Sequence, residues 1–395
     1  MENMSFRKLR NFSLFLLVTV VVHVAIFRSG IFLDKPILVN GEGLSSQVLS
    51  ILKNDFLYKD KIDDEKIYYG SIKGQVSSLG DPYTVFLPPD ENKTSQENLA
   101  GEFGGVGVSL GYKEGSLAVM SPLAKTPADR ADLRAGDLIL KIKDEKAGVD
   151  VDTQDISIQR AVELIRGEIG TKVVLSIFRQ GENEARDVEL IRDNIVVASV
   201  EIENLEHNGK KISWIKMYKF SDRLYEEWEE MVSSVLVNNS EVIILDLRNN
   251  PGGYLDGSVL IASDFLEDGV VVKQKSADGS VEEYKVERGK SRLVGKKLMV
   301  LINGGSASAA EILAGALKQR INAPIVGETS FGKGTVQKTD DFVDGSGLHV
   351  TIAKWLLPSG DDIDGKGVEP DYEVEWEYDD EIDRNKIFEI DGLLN

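Results

Sequence analysis

The chain has 395 residues, enough for two or three domains, and carries 46 basic and 66 acidic residues for a formal net charge of −20. That balance argues against a nucleic-acid partner, which would call for an excess of Lys and Arg. Cysteine is absent and no His-Glu-x-x-His occurs, which excludes disulfides and thiolate metal sites and leaves no zinc-protease signature, so neither metal nor cofactor is expected.

Arg7, Lys8 and Arg10 precede sixteen mostly apolar residues from Phe12 to Phe27, and Arg28 closes the run. It is shorter than the about 20 residues of a typical membrane span and longer than the about 7–15 of most signal-peptide cores. No small-x-small cleavage site follows it. Residues 1–30 are therefore expected to be an uncleaved signal anchor, with a cleaved signal peptide as the alternative. Lack of a polar face argues against a buried soluble helix. Basic residues come first, so the positive-inside rule leaves the N-terminus cytoplasmic and puts the remaining chain outside, periplasmic or extracellular.

Residues 31–95 form a helical lead-in, because Val48, Leu49, Leu52 and Phe56, then Ile67, Ile72 and Val76, recur at helical spacing. Ser78-Leu79-Gly80-Asp81-Pro82-Tyr83 ends it with a turn, and Asn92 to Ala100 is polar and reads as linker. Phe103-Gly104-Gly105-Val106-Gly107-Val108-Ser109-Leu110 opens the next unit. Ala131-Asp132-Leu133-Arg134-Ala135-Gly136-Asp137-Leu138-Ile139, a helical run from Ile156 to Arg166 and the apolar Val173 to Ile177 follow. In this order the segments resemble a PDZ domain, placed at 96–190. Glycines ahead of an edge strand leave backbone amides free to cradle a carboxylate, and the strand then pairs with an incoming peptide tail. Gly105, Val106, Gly107 and Val108 are the expected contacts for that tail.

From 191 to 373 the chain reads as an α/β domain. Glu241 to Arg248 is a buried-type strand that ends in Asn249-Asn250-Pro251-Gly252-Gly253 before a helical stretch from Tyr254 to Leu266. Leu298 to Ile302 is another, broken by Asn303-Gly304-Gly305 and followed by the helix that Ser306-Ala307-Ser308-Ala309-Ala310 begins. Pro324-Ile325-Val326-Gly327 leads into Glu328-Thr329-Ser330-Phe331-Gly332-Lys333-Gly334. Parallel strands joined by helices bring the ends of all three to one sheet edge, so Ser308 and Lys333 can meet.

A serine needs a neighbouring base. The three histidines are His23, His207 and His349, and a lone strand histidine such as His349 is more often structural. Lysine remains as the base if burial lowers its ordinary pKa of about 10.4. Phe331 is expected to wall Lys333 off from water, and Gln337 to accept a hydrogen bond from the amine and aim it. Bare amides of Gly252 or Gly253, with that of Ala309 at the helix start, suit an oxyanion hole. Taken singly, Gly332-Lys333-Gly334 reads more readily as a glycine-flanked surface turn with a solvated lysine, and Ser306 to Ala310 also fits a small-residue helix start that allows close packing.

The combination of Asp246-Leu-Arg-Asn-Asn-Pro-Gly-Gly, Gly305-Ser-Ala-Ser-Ala-Ala-Glu-Ile and Gly327-Glu-Thr-Ser-Phe-Gly-Lys-Gly-Thr-Val-Gln resembles the carboxyl-terminal processing, or tail-specific, proteases of the S41 serine peptidase family. The similarity extends over roughly 44–372, with Ala310 standing where many members carry another serine. It implies a multidomain α/β protein whose catalytic core has the crotonase/ClpP-like S41 fold. It also implies Ser308, rather than Ser306, as nucleophile, Lys333 as general base and Gln337 as its support. The expected partners are protein or peptide substrates with free C-termini and, through the N-terminal segment, a membrane; a homo-oligomer is compatible with the family. A catalytically silent PDZ adaptor and a non-proteolytic Ser-Lys hydrolase are the competing readings. Residues 374–395 read as an acidic tail with few features.

Overall fold

The computed structural model describes residues 41–113, 115–377 and 380–390. The expected anchor, residues 1–30, lies outside them. Among the described residues no helix is long and apolar enough to cross a membrane. The chain divides into two compact units, Met1–Ser71 and Ile72–Asn395. In the first, the apolar spacing of the lead-in is realised as the helix Gly41–Asp55, on which Leu44, Val48, Ile51 and Leu52 stay exposed. The helix Asp64–Ser77 follows in sequence.

The second unit is built on a six-stranded sheet. Its strands run in the order Val200–His207, Lys210–Met217, Val242–Asp246, Lys297–Ile302, Ile325–Gly327, Tyr372–Glu373. The first two pair as an antiparallel hairpin and all later pairs are parallel. Val242–Asp246 is buried along its whole length, as expected of a strand covered on both faces. Alternation decides which face each residue serves. Ile243, Leu245, Val300 and Ile302 enter a core formed with Trp228, Leu260, Leu313 and Leu317, whereas Val242, Ile244, Met299 and Leu301 face Ile212, Trp214 and Trp376. The helix Leu224–Asn238 buries Leu224, Trp228, Val232 and Val235, one stripe at helical spacing, and ends where Asn239 turns into the left-handed region at φ 53°.

Two segments depart from their sequence reading. The stretch taken as linker is the helix Pro89–Ala100, opened by proline in its first turn and closed by Gly101 at φ 76°. It has no apolar stripe because it docks through amides: Asn92 Nδ2 donates to Asp341 Oδ1 at 2.8 Å and to the Gly345 carbonyl at 3.1 Å, and Gln96 Nε2 to Asp341 Oδ1 at 2.9 Å. The stretch taken as a plain acidic tail covers one face of the main sheet. Trp376 and Ile387, the latter on the helix Asp380–Phe388, are buried there. Two anchors spaced eleven positions apart leave too sparse a periodic signal to be seen in sequence.

A second sheet, ordered Val85–Leu87, Gly347–Leu356, Val270–Ser276, Val281–Lys285, carries Thr335–Asp341 paired with Gly347–Leu356. The PDZ-like unit has its own sheet, Val108–Lys113, Ser116–Pro122, Leu138–Asp144, Lys172–Phe178, Arg186–Ile191, and its own core of Leu117, Val119, Ile139, Ile142, Leu164, Val173, Leu175 and Ile177. Val108–Lys113 is an edge strand, and the helix Ile158–Ile165, capped by Ser157 whose hydroxyl accepts from the Arg160 amide, packs onto this sheet.

Candidate active site

Register puts the carboxyl ends of three parallel strands together, with Asp246 opposite Leu301 and Ile302 opposite Gly327. The turns that follow hold one another. Asn303 Oδ1 accepts from the Asn249 amide at 2.8 Å, Asn303 Nδ2 donates to Asn249 Oδ1 at 2.9 Å, and the Ala307 amide donates to the Asn250 carbonyl at 2.9 Å. Below them the Arg248 guanidinium donates to both oxygens of Asp246, at 2.9 and 2.7 Å, and to Asp383 at 2.8 Å. This fork geometry locks the strand end rigidly.

Ser308 occupies the N-cap of the helix Ala309–Ile321 with φ 57° and ψ −117°, a conformation that side-chain-bearing residues rarely adopt. Strain of this kind persists only where the surroundings impose it. Here they do, because the added Cβ of any residue replacing Gly252 (φ 93°) would stand 2.7 Å from the Ser308 Cβ and 2.9 Å from the Ala309 nitrogen. Ser306 is different in kind. Its fully buried hydroxyl donates to the Leu247 carbonyl at 2.8 Å and accepts from the Asn303 amide at 3.0 Å.

The sequence reading used Glu311 only as a landmark, yet its fully buried carboxylate ties the serine turn to the lysine loop. Oε2 accepts from the Ser308 amide at 2.8 Å and the Lys333 amide at 2.9 Å, while Oε1 accepts from the Gly332 amide and the Ser330 hydroxyl, both at 2.6 Å. A Glu at the third helical position, reaching back to its N-cap, is the signal that was available.

Lys333 is half-buried, and burial pushes its ammonium below the ordinary lysine value, against the opposing pull of the Glu311 and Asp81 carboxylates. The wall is not the expected one. Phe331 is 57% exposed, and the ring beside the amine is that of Tyr83, whose centroid lies 4.9 Å from Lys333 Nζ. No hydrogen bond joins Lys333 Nζ to the Ser308 hydroxyl or to Gln337. Gln337 Nε2 instead donates to the hydroxyls of Thr335 at 2.9 Å and Thr351 at 3.1 Å. His349 belongs to the same neighbourhood, its imidazole held below the ordinary value by burial and, to a smaller degree, by the charge of Lys333.

Of the three amides expected to face an oxyanion, that of Gly252 is engaged, donating to Asn250 Oδ1 at 2.9 Å. Those of Gly253 and Ala309 have no partner among the described residues. Among the described residues no group of three or more His, Asp or Glu side chains is placed to hold a metal ion.

In the PDZ-like unit, Gly105 ends a short strand opposite Asp193, and Val108 begins the edge strand. Between them the amides of Val106 and Gly107 have no partner among the described residues. Gly107 sits at φ 73°, where an added Cβ would stand 2.3 Å from the Thr126 Cβ. These residues line a groove of about 80 Å³ with Phe103, Leu110, Val162 and Arg166. The Arg166 guanidinium stacks 3.7 Å from the Phe103 ring centroid, a lining residue that the sequence reading missed.

A parallel α/β core with the Ser308 and Lys333 turns on one edge, preceded by a unit with a small groove beside an edge strand, fits one class: serine-type peptidases equipped with a PDZ domain. Residues 104–190 match the family model for the PDZ domain and residues 211–374 that for Peptidase family S41. The chain is 36% identical over 325 residues to the carboxy-terminal processing protease CtpA of Bacillus subtilis (strain 168), covering 82% of this chain and 67% of that one. To CtpB of the same organism it is 35% identical over 318 residues, covering 79% and 64%. It thus spans about two thirds of the length of these relatives. A solved photosystem II D1 C-terminal processing protease is similar with a TM-score of 0.52 and 27% identity, over 84% of this chain and 88% of that one. The chain belongs to the S41 family and is a carboxy-terminal processing serine peptidase with a PDZ domain.

Proposed function

We propose that this protein is an extracytoplasmic endopeptidase that cleaves proteins selected by their C-terminal residues through a Ser308–Lys333 dyad. The observation that carries the reading is the Glu311 carboxylate, which bonds the backbone of both proposed dyad members at once. Ser308 attacks the scissile carbonyl as neutral Lys333 takes its proton. The amides of Gly253 and Ala309 receive the developing oxyanion, with Gly252 shaping the turn that presents them. Lys333 then protonates the leaving amine, and water, activated by the same lysine, releases the acyl group. The layered parallel sheet supports a crotonase/ClpP-like description of the core. The basic-then-apolar order of residues 7–28 supports a membrane anchor with the catalytic part outside.

Because a lysine base works only when deprotonated, kcat/KM should rise with pH through the lowered pKa of Lys333 and level off below the ordinary lysine value. Lys333→Arg should remain inactive at every pH, since a guanidinium keeps its proton. A pH–rate profile on a soluble peptide checks both, and activity still climbing steeply above the ordinary lysine value would contradict the buried base.

Selection by the tail has its own test. Amidating the C-terminus of a substrate removes the charge that the Val106 and Gly107 amides would bind and leaves the scissile bond untouched. Loss of such a charge-assisted set costs roughly 1.5–3 kcal/mol, so kcat/KM should fall about tenfold or more. Equal cleavage of the acid and amide peptides would leave a protease without tail selection.

A further inference from the structure

The turn from Asp81 to Thr84, which in sequence only ends the helical lead-in, is built into the surroundings of Lys333. It leads into the strand Val85–Leu87, which pairs antiparallel with Gly347–Leu356. The strand Thr335–Asp341, which leaves the lysine loop, pairs with Gly347–Leu356 from the other side. Val85 and Thr339 both lie opposite His349, so one shared strand sets the register between the turn and the loop. Within the turn, Asp81 accepts from the Tyr83 amide at 3.1 Å and from the Thr84 hydroxyl at 2.6 Å, and the buried Thr84 hydroxyl accepts from the Thr351 amide at 3.0 Å. The loop is held by Glu311, on the amides of Gly332 and Lys333, and by Asp364, which accepts from the Gly334 amide at 3.2 Å. Tyr83 and Lys333 thus meet from two anchored stretches of backbone.

Lys333 Nζ lies over the Tyr83 ring, 4.9 Å from its centroid, and has no hydrogen-bond partner among the described residues. A ring at that distance acts on an amine in two ways. Its bulk excludes water, and loss of water disfavours the ammonium, by as many as about 3–5 pKa units when burial is complete. Its π face attracts the ammonium, an effect of roughly 0.4–1.5 pKa units. Exclusion of water is the larger, and burial is accordingly the foremost cause that holds Lys333 below the ordinary lysine value. The carboxylates of Glu311, from the serine helix, and Asp81, from the turn, pull the other way, and His349 of the strand Gly347–Leu356 is a further titratable neighbour. The Tyr83 hydroxyl has no partner among the described residues. Burial and the charges of Asp364, Glu311 and Asp81 push its pKa up, so it stays a neutral phenol while the lysine titrates.

We infer that Tyr83 is a positioning residue for the general base, its ring covering the Lys333 amine against water, so that a turn ahead of both the PDZ and the peptidase regions is part of the active site. The inference rests on the Ser308–Lys333 reading above. It gives the lead-in a role in the chemistry: the core supplies the base, and the turn keeps that base able to accept a proton near neutral pH.

The test compares the unmodified full-length chain with Tyr83→Ala and Tyr83→Phe. It measures kcat and KM for a soluble peptide across pH, the pH dependence of labelling by a serine-directed fluorophosphonate, and thermal unfolding. Tyr83→Ala admits water to the amine and removes no charge. The acid limb of kcat/KM, which reports the base in the free enzyme, should move up by about one pH unit, so activity at neutral pH falls about tenfold and returns above the limb. Labelling by the probe, which needs the base but not the peptide groove, should show the same displaced limb. Tyr83→Phe keeps the ring and loses only an unpartnered hydroxyl, so its limb and its kcat should stay near those of the unmodified protein. A loss in Tyr83→Ala that is equal at every pH, as a general weakening of the fold would give, overturns the inference and leaves the dyad intact. A limb as far displaced in Tyr83→Phe as in Tyr83→Ala overturns it too. An unmodified protein inert to both peptide and probe, or active with no acid limb, would instead overturn the Ser-Lys reading itself. Should Tyr83→Ala fail to fold, Tyr83→Val, which keeps part of the cover, decides in its place, with a smaller displacement in the same direction expected.

Discussion

Ser308→Ala, and separately Lys333→Ala, should each bring peptide hydrolysis to background while the protein still unfolds cooperatively near its original temperature. In the proposed dyad nucleophile and base act as one unit, so removing either should cost nearly as much as removing both, on the order of 10⁴–10⁶-fold in kcat. Neither side chain belongs to the hydrophobic cores, so the fold should tolerate both changes. Ser306→Ala offers the contrast. Its buried hydroxyl bonds the Leu247 carbonyl and the Asn303 amide, so its loss should cost roughly 1–3 kcal/mol of stability and leave most of the activity. Active-site titration with a fluorophosphonate, alongside steady-state kinetics, separates the cases. An inactive Ser306→Ala beside an active Ser308→Ala would reassign the nucleophile.

Glu311→Gln should be the most damaging substitution at a residue that never touches substrate. The carboxylate accepts from four donors, two on each oxygen. A carboxamide of the same shape has one acceptor oxygen, and its NH2 confronts two backbone donors on the Ser308 and Lys333 side or one, the Gly332 amide, on the side of the Ser330 hydroxyl, which can turn to accept. With an unsatisfied buried donor costing about 1–3 kcal/mol, a loss of at least roughly that size is expected. Misplacement of both Ser308 and Lys333 should then lower kcat about 10²-fold or more even in the folded fraction. Denaturant unfolding with kinetics on the folded enzyme measures the two effects, and near-normal values for both would show that the tie between the turns is dispensable.

The sequence by itself determined the frame of the protein. Continuous apolar runs at 242–245, 298–302 and 325–327, each followed by a glycine-containing turn, admit little but buried parallel strands, and parallel strands must deliver their turns to one edge. Alternation likewise marks Gly347–Leu356, and helical spacing marks Leu224–Asn238, because both signals are local and periodic. Several features were decided only by tertiary structure. Asn92 bonds to Asp341, Arg248 to Asp383, and Tyr83 stands against Lys333, so the meaning of each residue depends on a partner more than a hundred positions away. Phe331 is next in sequence to the lysine loop's glycine, yet the side chain that shields the amine comes from Tyr83. Gly252 and Gly253 read alike until Asn250 takes the amide of one and leaves that of the other. In each case a short-range pattern names the kind of residue available, and the choice among equivalents is made by hydrogen bonds and packing across the closed fold.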